Sequence, residues 1–280
     1  LPGGIFAADQ TPPKAGYARA ILSKVRPALR RMRDFIRDRY LPAARDSAGL
    51  QDMKGGPVLY RYLVRSNTTT DLTPEVIHQI GLDEVQRLHR EMETVKEQVG
   101  YKGTLQQFFE HIRTDPKFKP ASREALQRGY VAIGKRLDAT LPKLFSTLPK
   151  APLEIRPVPA LTEKGAARGS YQQGTPDGSR PGVFFFNAYD LPSRTTPGME
   201  TLYLHEGAPG HHFQISLAQE NERLPDFMRF GGNTAYVEGW GLYAETLGRE
   251  LGVYTDPYQY FGYLDSQLFR AIRLVVDTGI

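Results

Sequence analysis

The chain has 280 residues, of which 40% are hydrophobic and 24% charged, as in globular proteins rather than disordered or collagen-like ones. No stretch approaches the roughly 18 apolar residues of a membrane-spanning helix. The absence of cysteine excludes disulfides, thiolate zinc sites, iron–sulfur clusters and cysteine nucleophiles. Because the chain begins with Leu1 rather than Met, we leave open export after removal of a leader (to the periplasm or as a lipoprotein) and a cytoplasmic location.

The first half of the chain is predicted to be helical. Residues 1–14, rich in Pro and Gly, predict a loop, and a helix follows from about Ala15 to Ser47, where apolar residues recur every three or four positions. Residues 57–65 fit either a short strand or a helix. Further helices are predicted to begin after capping residues Thr73, Thr104 and Ser122.

The pattern changes near residue 148. Two segments predict strands, Leu153–Val158 and Gly182–Tyr189, and the stretch before the second strand is rich in Gly and Ser. Helical patterns then begin at Thr196, Asn233 and Tyr258. The predicted fold class is mainly α with a small β-sheet near the candidate site.

The domain prediction is one mainly helical domain over residues 1–280. Within it we distinguish a helical part (1–147), a β and loop insertion (148–195) and helices that carry the candidate site (196–280).

A histidine cluster is the most informative feature. Of six histidines, three (His205, His211 and His212) lie within eight residues, and Glu206 follows the first. Imidazole is a common zinc ligand, and a zinc site without cysteine needs two or three of them. A carboxylate directly after the first ligand is placed to act as general base on a water molecule. The pattern therefore predicts a metal site.

The spacing departs from the His-Glu-x-x-His helix of common zinc peptidases. On a straight helix, the residue seven positions after His205 lies roughly 10 Å away along the axis, too far to share one ion. Pro209 and the glycines Gly207 and Gly210 favour a break that would bring a later histidine back beside His205. The alternative is a helix–turn–helix corner whose histidines only cap or hydrogen-bond.

A catalytic zinc site needs a third protein ligand, and the helix predicted from Asn233 offers two carboxylates. Glu238 and Glu245 are seven positions apart and share one helix face. We favour Glu238 as the ligand, because its neighbours are apolar and an unpaired carboxylate there would be costly. Glu245 is the reserve, as a partner that orients a histidine. The alternative for Glu238 is a solvated helix residue.

Four segments carry a resemblance to a known family. They are Thr68–His78, Tyr203–Gln214, Tyr236–Glu245 and Arg273–Gly279, and they resemble the motifs of the bacterial domain-of-unknown-function family 885 over almost the whole chain. That family is similar to the Taq-type carboxypeptidases, which are helical zinc peptidases of the gluzincin type. Because members of the family are longer, the resemblance implies that this chain is a fragment of a longer one.

The resemblance implies a role for each residue of the cluster. It implies one zinc ion held by His205, by one of His211 and His212, and by Glu238, with Glu206 as general base. Alignment on the Gly-His pair favours His211, and counting whole helical turns favours His212, so both are kept. The implied architecture is helical and Taq carboxypeptidase-like.

Six further residues are candidates for contact with a substrate. Asn187 and Tyr189 would lie near the cleft if the strand Gly182–Tyr189 bound an extended peptide at its edge; the alternative is a core strand. Tyrosines near the site can stabilise developing negative charge, and two carboxy-terminal arginines can bind a terminal carboxylate; packing and surface roles are the alternatives. These residues are Tyr260, Tyr263, Arg270 and Arg273.

The predicted function is hydrolysis of peptide bonds by a zinc-dependent, carboxypeptidase-like metallopeptidase. The alternatives are an inactive peptidase-like protein that binds peptides and a metal-dependent hydrolase of another amide or an ester. The formal charge of +5 is small and no compact nucleic-acid motif is present, so the predicted partner is a peptide rather than a nucleic acid.

Overall fold

The computed structural model describes residues 11–280, with side chains from residue 15 onward. The chain divides into two compact units, one ending at Gly56 and one from Pro57 to Ile280. The second unit contains every residue predicted for the site. Over the described residues the protein is mainly helical with one small sheet, as predicted, and none of these helices is long and apolar enough to cross a membrane.

The first unit is built on one long helical segment. Helix α1 (Thr11–Ala20) and helix α2 (Arg26–Phe35) are joined by a π-helical turn, and a second such turn and a short 3₁₀ turn extend α2 to Ala43. Residues 1–10 of the predicted loop 1–14 lie outside the described residues. Residues 11–14 are helical and not a loop. The apolar side chains of this segment are exposed.

Local capping signals explain where the next helices begin. The helices are α3 (Gly56–Thr68), α4 (Pro74–Gln98), α5 (Leu105–Thr114) and α6 (Arg123–Asp138). The side chains of Thr73, Thr104 and Ser122 each accept a hydrogen bond from a main-chain N–H in the first turn of the helix that follows. These three predicted starts are confirmed because an N-cap satisfies a donor that the helix itself leaves unpaired.

The sheet has three strands, β1 (Leu153–Pro157), β2 (Gly169–Gln172) and β3 (Gly182–Phe186), in the order β1-β3-β2. Strand β3 pairs parallel to β1 and antiparallel to β2. The prediction that the strand starting at Gly182 offers an edge to a peptide is therefore wrong. Both edges of β3 are hydrogen-bonded, and it is the buried central strand.

Five helices complete the second unit: α7 (Met199–Glu206), α8 (His211–Glu220), α9 (Asp226–Arg229), α10 (Thr234–Thr246) and α11 (Pro257–Gly279). One apolar core joins α6, the sheet, α7 and α8. A second core joins α4, α5 and α11. The helix predicted from Thr196 past Leu217 is two helices separated by Gly207–Gly210, as the Pro/Gly break predicted.

We expect Phe108→Ala to lower the free energy of unfolding by about 3–5 kcal/mol, because the substitution leaves a cavity in the second core. Phe108 is fully buried there and packs edge-on against Phe261, with 4.8 Å between ring centroids. Urea denaturation followed by circular dichroism measures the change. Phe269→Ala is the matched control, since Phe269 is 63% exposed. Equal losses in the two variants would contradict this assignment of the core.

Candidate metal centre

The break between α7 and α8 brings two histidines together. A Cβ atom at Gly210 would collide with the main-chain oxygens of Leu204 and His205, so only glycine allows the chain to turn back this closely. The indole N–H of Trp240 donates a hydrogen bond of 2.7 Å to the Pro209 oxygen and ties the break to α10. As a result the His205 and His211 rings meet edge to face, with centroids 4.5 Å apart.

One face of α10 covers the His205 ring. Glu238, Gly241 and Glu245 stand at i, i+3 and i+7 and so share this face. A Cβ atom at Gly241 would lie 2.7 Å from His205 Cε1, which means that α10 packs directly on the imidazole. Glu238 Oε2 lies 3.5 Å from His205 Nε2, and Glu245 Oε1 lies 2.9 Å from His205 Nδ1. The two carboxylates therefore contact opposite nitrogens of the ring.

Three side chains form a group that suits a metal ion. One ligand atom each from His205, His211 and Glu238 lie within 4.8 Å of one another. Glu238 contacts the Nε2 atoms of both histidines, at 3.5 Å for His205 and 3.7 Å for His211. Ligands at about 2 Å from a tetrahedral zinc ion lie about 3.3 Å from one another. The two contacts are made by different Glu238 oxygens and are slightly longer than this spacing, so small side-chain rotations would bring two imidazole nitrogens and a carboxylate around one zinc ion, with a position left for water or substrate.

Glu238 is more exposed to solvent than its sequence neighbours predicted. The sequence placed it among apolar neighbours, but its side chain is 60% exposed, whereas the side chains of His205 and His211 are less than one-tenth exposed. The group is therefore open to solvent at Glu238 and buried at the two histidines.

Glu245 holds His205 in one orientation. The Glu245 side chain is 1% exposed, and its second oxygen accepts a 2.9 Å hydrogen bond from Gln267 Nε2. Burial opposes the charged form of His205, but the hydrogen bond and charge of Glu245 outweigh it and raise the pKa of the imidazole. We assign the proton to Nδ1, where Glu245 accepts it, which leaves the Nε2 lone pair facing Glu238.

Glu206 is a buried carboxylate beside the group. It is 7% exposed, and no hydrogen bond joins its side chain to another described residue. Burial, together with the charge of Glu238, raises the pKa of Glu206 to about 7, against the opposing effect of His205. A carboxyl group with a pKa near neutrality can both accept and return a proton, which is the property of a general base.

His211 is held mainly by packing. Its Nδ1 atom is buried and has no hydrogen-bond partner among the described residues. Burial first, and then the nearby charge of His205, lowers the pKa of His211 to about 4. The imidazole is therefore neutral at pH 7, as a metal ligand must be.

His212 faces away from this group. Its Nδ1 atom lies 3.1 Å from the Tyr171 hydroxyl and 3.5 Å from the Ser216 hydroxyl. The ring borders a separate cavity that is also lined by Tyr203. Of the two alternatives left open by the sequence, the structure brings His211 to His205 and Glu238, and it does not bring His212 there.

Asn187, which was predicted to contact substrate, makes hydrogen bonds within its own loop and the segment before β2. The Asn187 amide donates to the main-chain oxygens of Glu163 at 2.8 Å and Ala166 at 2.9 Å, and its oxygen accepts from the Tyr189 N–H. Asn187 thus fixes the loop after β3 and has no free amide hydrogen. Tyr189 is 39% exposed.

The predicted tyrosines lie in an aromatic cluster on α11. The Tyr260 hydroxyl donates a 3.0 Å hydrogen bond to Glu91 Oε2, and its ring stacks on Tyr263 with centroids 5.7 Å apart. Burial and the charge of Glu245 raise the pKa of Tyr263 to about 12, so its phenol stays protonated. Of the two predicted tyrosines, Tyr263 is the one whose pKa the charge of Glu245 raises.

The two predicted arginines differ in their surroundings. Arg270 lies 3.3 Å from Glu245 Oε1 and contacts Ser266, so it belongs to the network behind His205. Arg273 is exposed and lies over the Phe269 ring.

The sequence did not reveal the roles of Gly241, Trp240 and Gln267 at the candidate centre. The glycine three positions after Glu238 was nevertheless a usable signal for close packing on that helix face.

Comparison with known proteins agrees with the motifs in the sequence. The profile of a family described as "Bacterial protein of unknown function (DUF885)" matches residues 5–280. A crystal structure described as that of the putative lipoprotein from Colwellia psychrerythraea is similar, with a TM-score of 0.88 and 34% sequence identity. The match covers 93% of this chain and 46% of that one, so this chain spans less than half of its length. No curated protein matches the sequence.

We expect Glu245→Gln to weaken zinc binding by about 10- to 100-fold, because His205 loses the charged acceptor that orients it. Competition with a chromophoric zinc chelator measures the dissociation constant. Glu250→Gln removes the same charge from an exposed position four residues after the end of α10. It should leave zinc affinity unchanged. Equal effects of the two substitutions would mean that Glu245 contributes only net charge.

Proposed function

We propose that this protein, which belongs to the bacterial family DUF885 of unknown function, is a zinc-dependent metallopeptidase. In this proposal His205, His211 and Glu238 hold the ion, Glu206 is the general base, and the substrate is a peptide. The observation that carries it is the convergence of two Nε2 atoms and a carboxylate oxygen beside a buried carboxylate that has no hydrogen-bond partner among the described residues.

The chemistry follows from this arrangement. A zinc ion, when bound, would lower the pKa of a water molecule and polarise the carbonyl group of a peptide bond. Glu206 takes the proton from the attacking water and delivers it to the departing amine nitrogen. Glu245 keeps the Nδ1 proton of His205 in place, so that the Nε2 atom remains free to act as a ligand.

Two broader parts of the proposal rest on similarity. The mainly helical fold around this group supports a Taq carboxypeptidase-like, gluzincin-type architecture. The solved relative is described as a lipoprotein, and this description supports an exported location. The relative is more than twice as long as the part that this chain matches. The proposed activity and location therefore refer to a whole protein and not to this chain alone.

We expect about one zinc ion per chain in protein purified without a polyhistidine tag and measured by mass spectrometry. His205→Ala and His211→Ala should abolish this zinc content, because each removes one of three ligands. His212→Ala is the matched control, since His212 lies next to His211 in sequence but outside the group, and it should retain the ion. A metal-free wild-type protein, even after incubation with zinc, would contradict the proposal and favour an inactive peptide-binding protein.

We expect Glu206→Gln to reduce peptide hydrolysis by about 10²- to 10⁴-fold while zinc content stays unchanged, because the amide cannot accept the proton. Cleavage of a defined mixture of synthetic peptides, followed by mass spectrometry, measures the loss. Glu222→Gln, at an exposed position, should retain activity. Full hydrolysis by the Glu206 variant would show that another group is the base, and cleavage of esters but not peptides would indicate a different hydrolase.

A further inference from the structure

A cavity of about 560 Å³ lies between α8, α9 and α10. Its lining is largely apolar or aromatic and includes Ile215, Ala218, Phe227, Phe230, Tyr236 and Val237. Several of these side chains are exposed in spite of their apolar character, with Phe227 at 76% and Tyr236 at 62%. An open apolar cavity of this size has the dimensions and lining of a small-molecule or side-chain binding site.

The cavity and the candidate metal centre lie along the same face of α8. On α8, His211, Gln214 and Ala218 stand at i, i+3 and i+7, so the helix face that carries the predicted ligand also forms the cavity wall. On α10, Tyr236 and Val237 line the cavity from helix faces other than that of Glu238. A peptide that lay along this face of α8, with its scissile bond at His211, would therefore extend a neighbouring side chain toward this cavity.

Gln214 adds a second indication of a ligand. It is 6% exposed and lines the cavity, and its Nε2 atom donates to the Tyr236 oxygen at 3.1 Å. Its Oε1 atom is buried and has no hydrogen-bond partner among the described residues. A buried acceptor without a donor is destabilising, and the main-chain N–H of a bound peptide would satisfy it.

The charge in the cavity wall favours an apolar occupant over an acidic one. Arg229 is the basic residue of the lining, and its Nε and NH2 atoms both donate to the Gln219 main-chain oxygen, at 3.1 and 2.8 Å. Its NH1 atom lies 3.5 Å from Asp226. The guanidinium group is thus paired within the protein.

We propose that this cavity is a specificity subsite that binds a large apolar or aromatic side chain of the peptide, next to the bond that is cleaved. This inference rests on the proposed function, since it takes the centre formed by His205, His211 and Glu238 as the place of cleavage. It adds the substrate class, peptides with an aromatic or large aliphatic residue beside the scissile bond.

The test uses N-acetyl amino-acid hydroxamates, whose chelating group binds a zinc ion, with phenylalanine, leucine, alanine or aspartate side chains. Isothermal titration calorimetry on the zinc-loaded protein measures their affinities. The phenylalanine compound should bind at least about tenfold more tightly than the alanine and aspartate compounds. Ala218→Phe, which fills the cavity, should reduce this preference to within about threefold without changing zinc content.

Two further variants keep the result interpretable. Ala235→Phe introduces the same bulk on α10 outside the cavity lining and should preserve the preference for phenylalanine. Phe227→Ser removes an exposed wall residue without disturbing the core and should weaken binding of the phenylalanine compound alone.

The outcomes separate this inference from the proposed function. Stoichiometric zinc and equal affinities for all four hydroxamates would overturn the subsite and leave the metallopeptidase proposal in place. An unchanged preference in both Ala218→Phe and Phe227→Ser would also overturn it. Absence of zinc or of any hydroxamate binding would overturn the proposed function, and the subsite with it.

Discussion

The direct packing of α10 on the His205 ring is the contact on which the rest of the candidate centre depends. Gly241 leaves room for the imidazole, and the carboxylates on either side of it, Glu238 and Glu245, then reach opposite ring nitrogens. Trp240, on the same helix, ties α10 to the break between α7 and α8. One helix thus supplies a candidate ligand and the acceptor that orients His205 from one face, and the bond that holds the break from another.

Features governed by short stretches of sequence were predictable. Thr73, Thr104 and Ser122 mark helix starts because a cap acts within one turn, and the pair Glu238 and Glu245 shares a face because helical periodicity requires it. Features that depend on distant pairing were not. The central position of β3 depends on both β1 and β2, and a strand of phenylalanines is compatible with either an edge or a core position.

The candidate centre shows the same division. Clustering of His205, Glu206 and two further histidines was visible in the sequence, but the choice between His211 and His212 depends on dihedral angles within Gly207–Gly210. Asn187 was assigned to substrate on the assumption of a free strand edge, and its amide is instead used by the loop after β3. The exposure of Glu238 likewise depends on which face of α10 is covered, and its apolar neighbours in sequence do not determine this.

The four-residue break Gly207–Gly210 has a consequence for how such centres are recognised. It replaces the three residues between the histidines of His-Glu-x-x-His with five, while the two imidazoles still meet with centroids 4.5 Å apart. Pattern searches that require the compact motif pass over chains of this kind. A survey based on the three-dimensional proximity of ligand atoms, independent of their spacing in sequence, would group them with other His-His-Glu proteins.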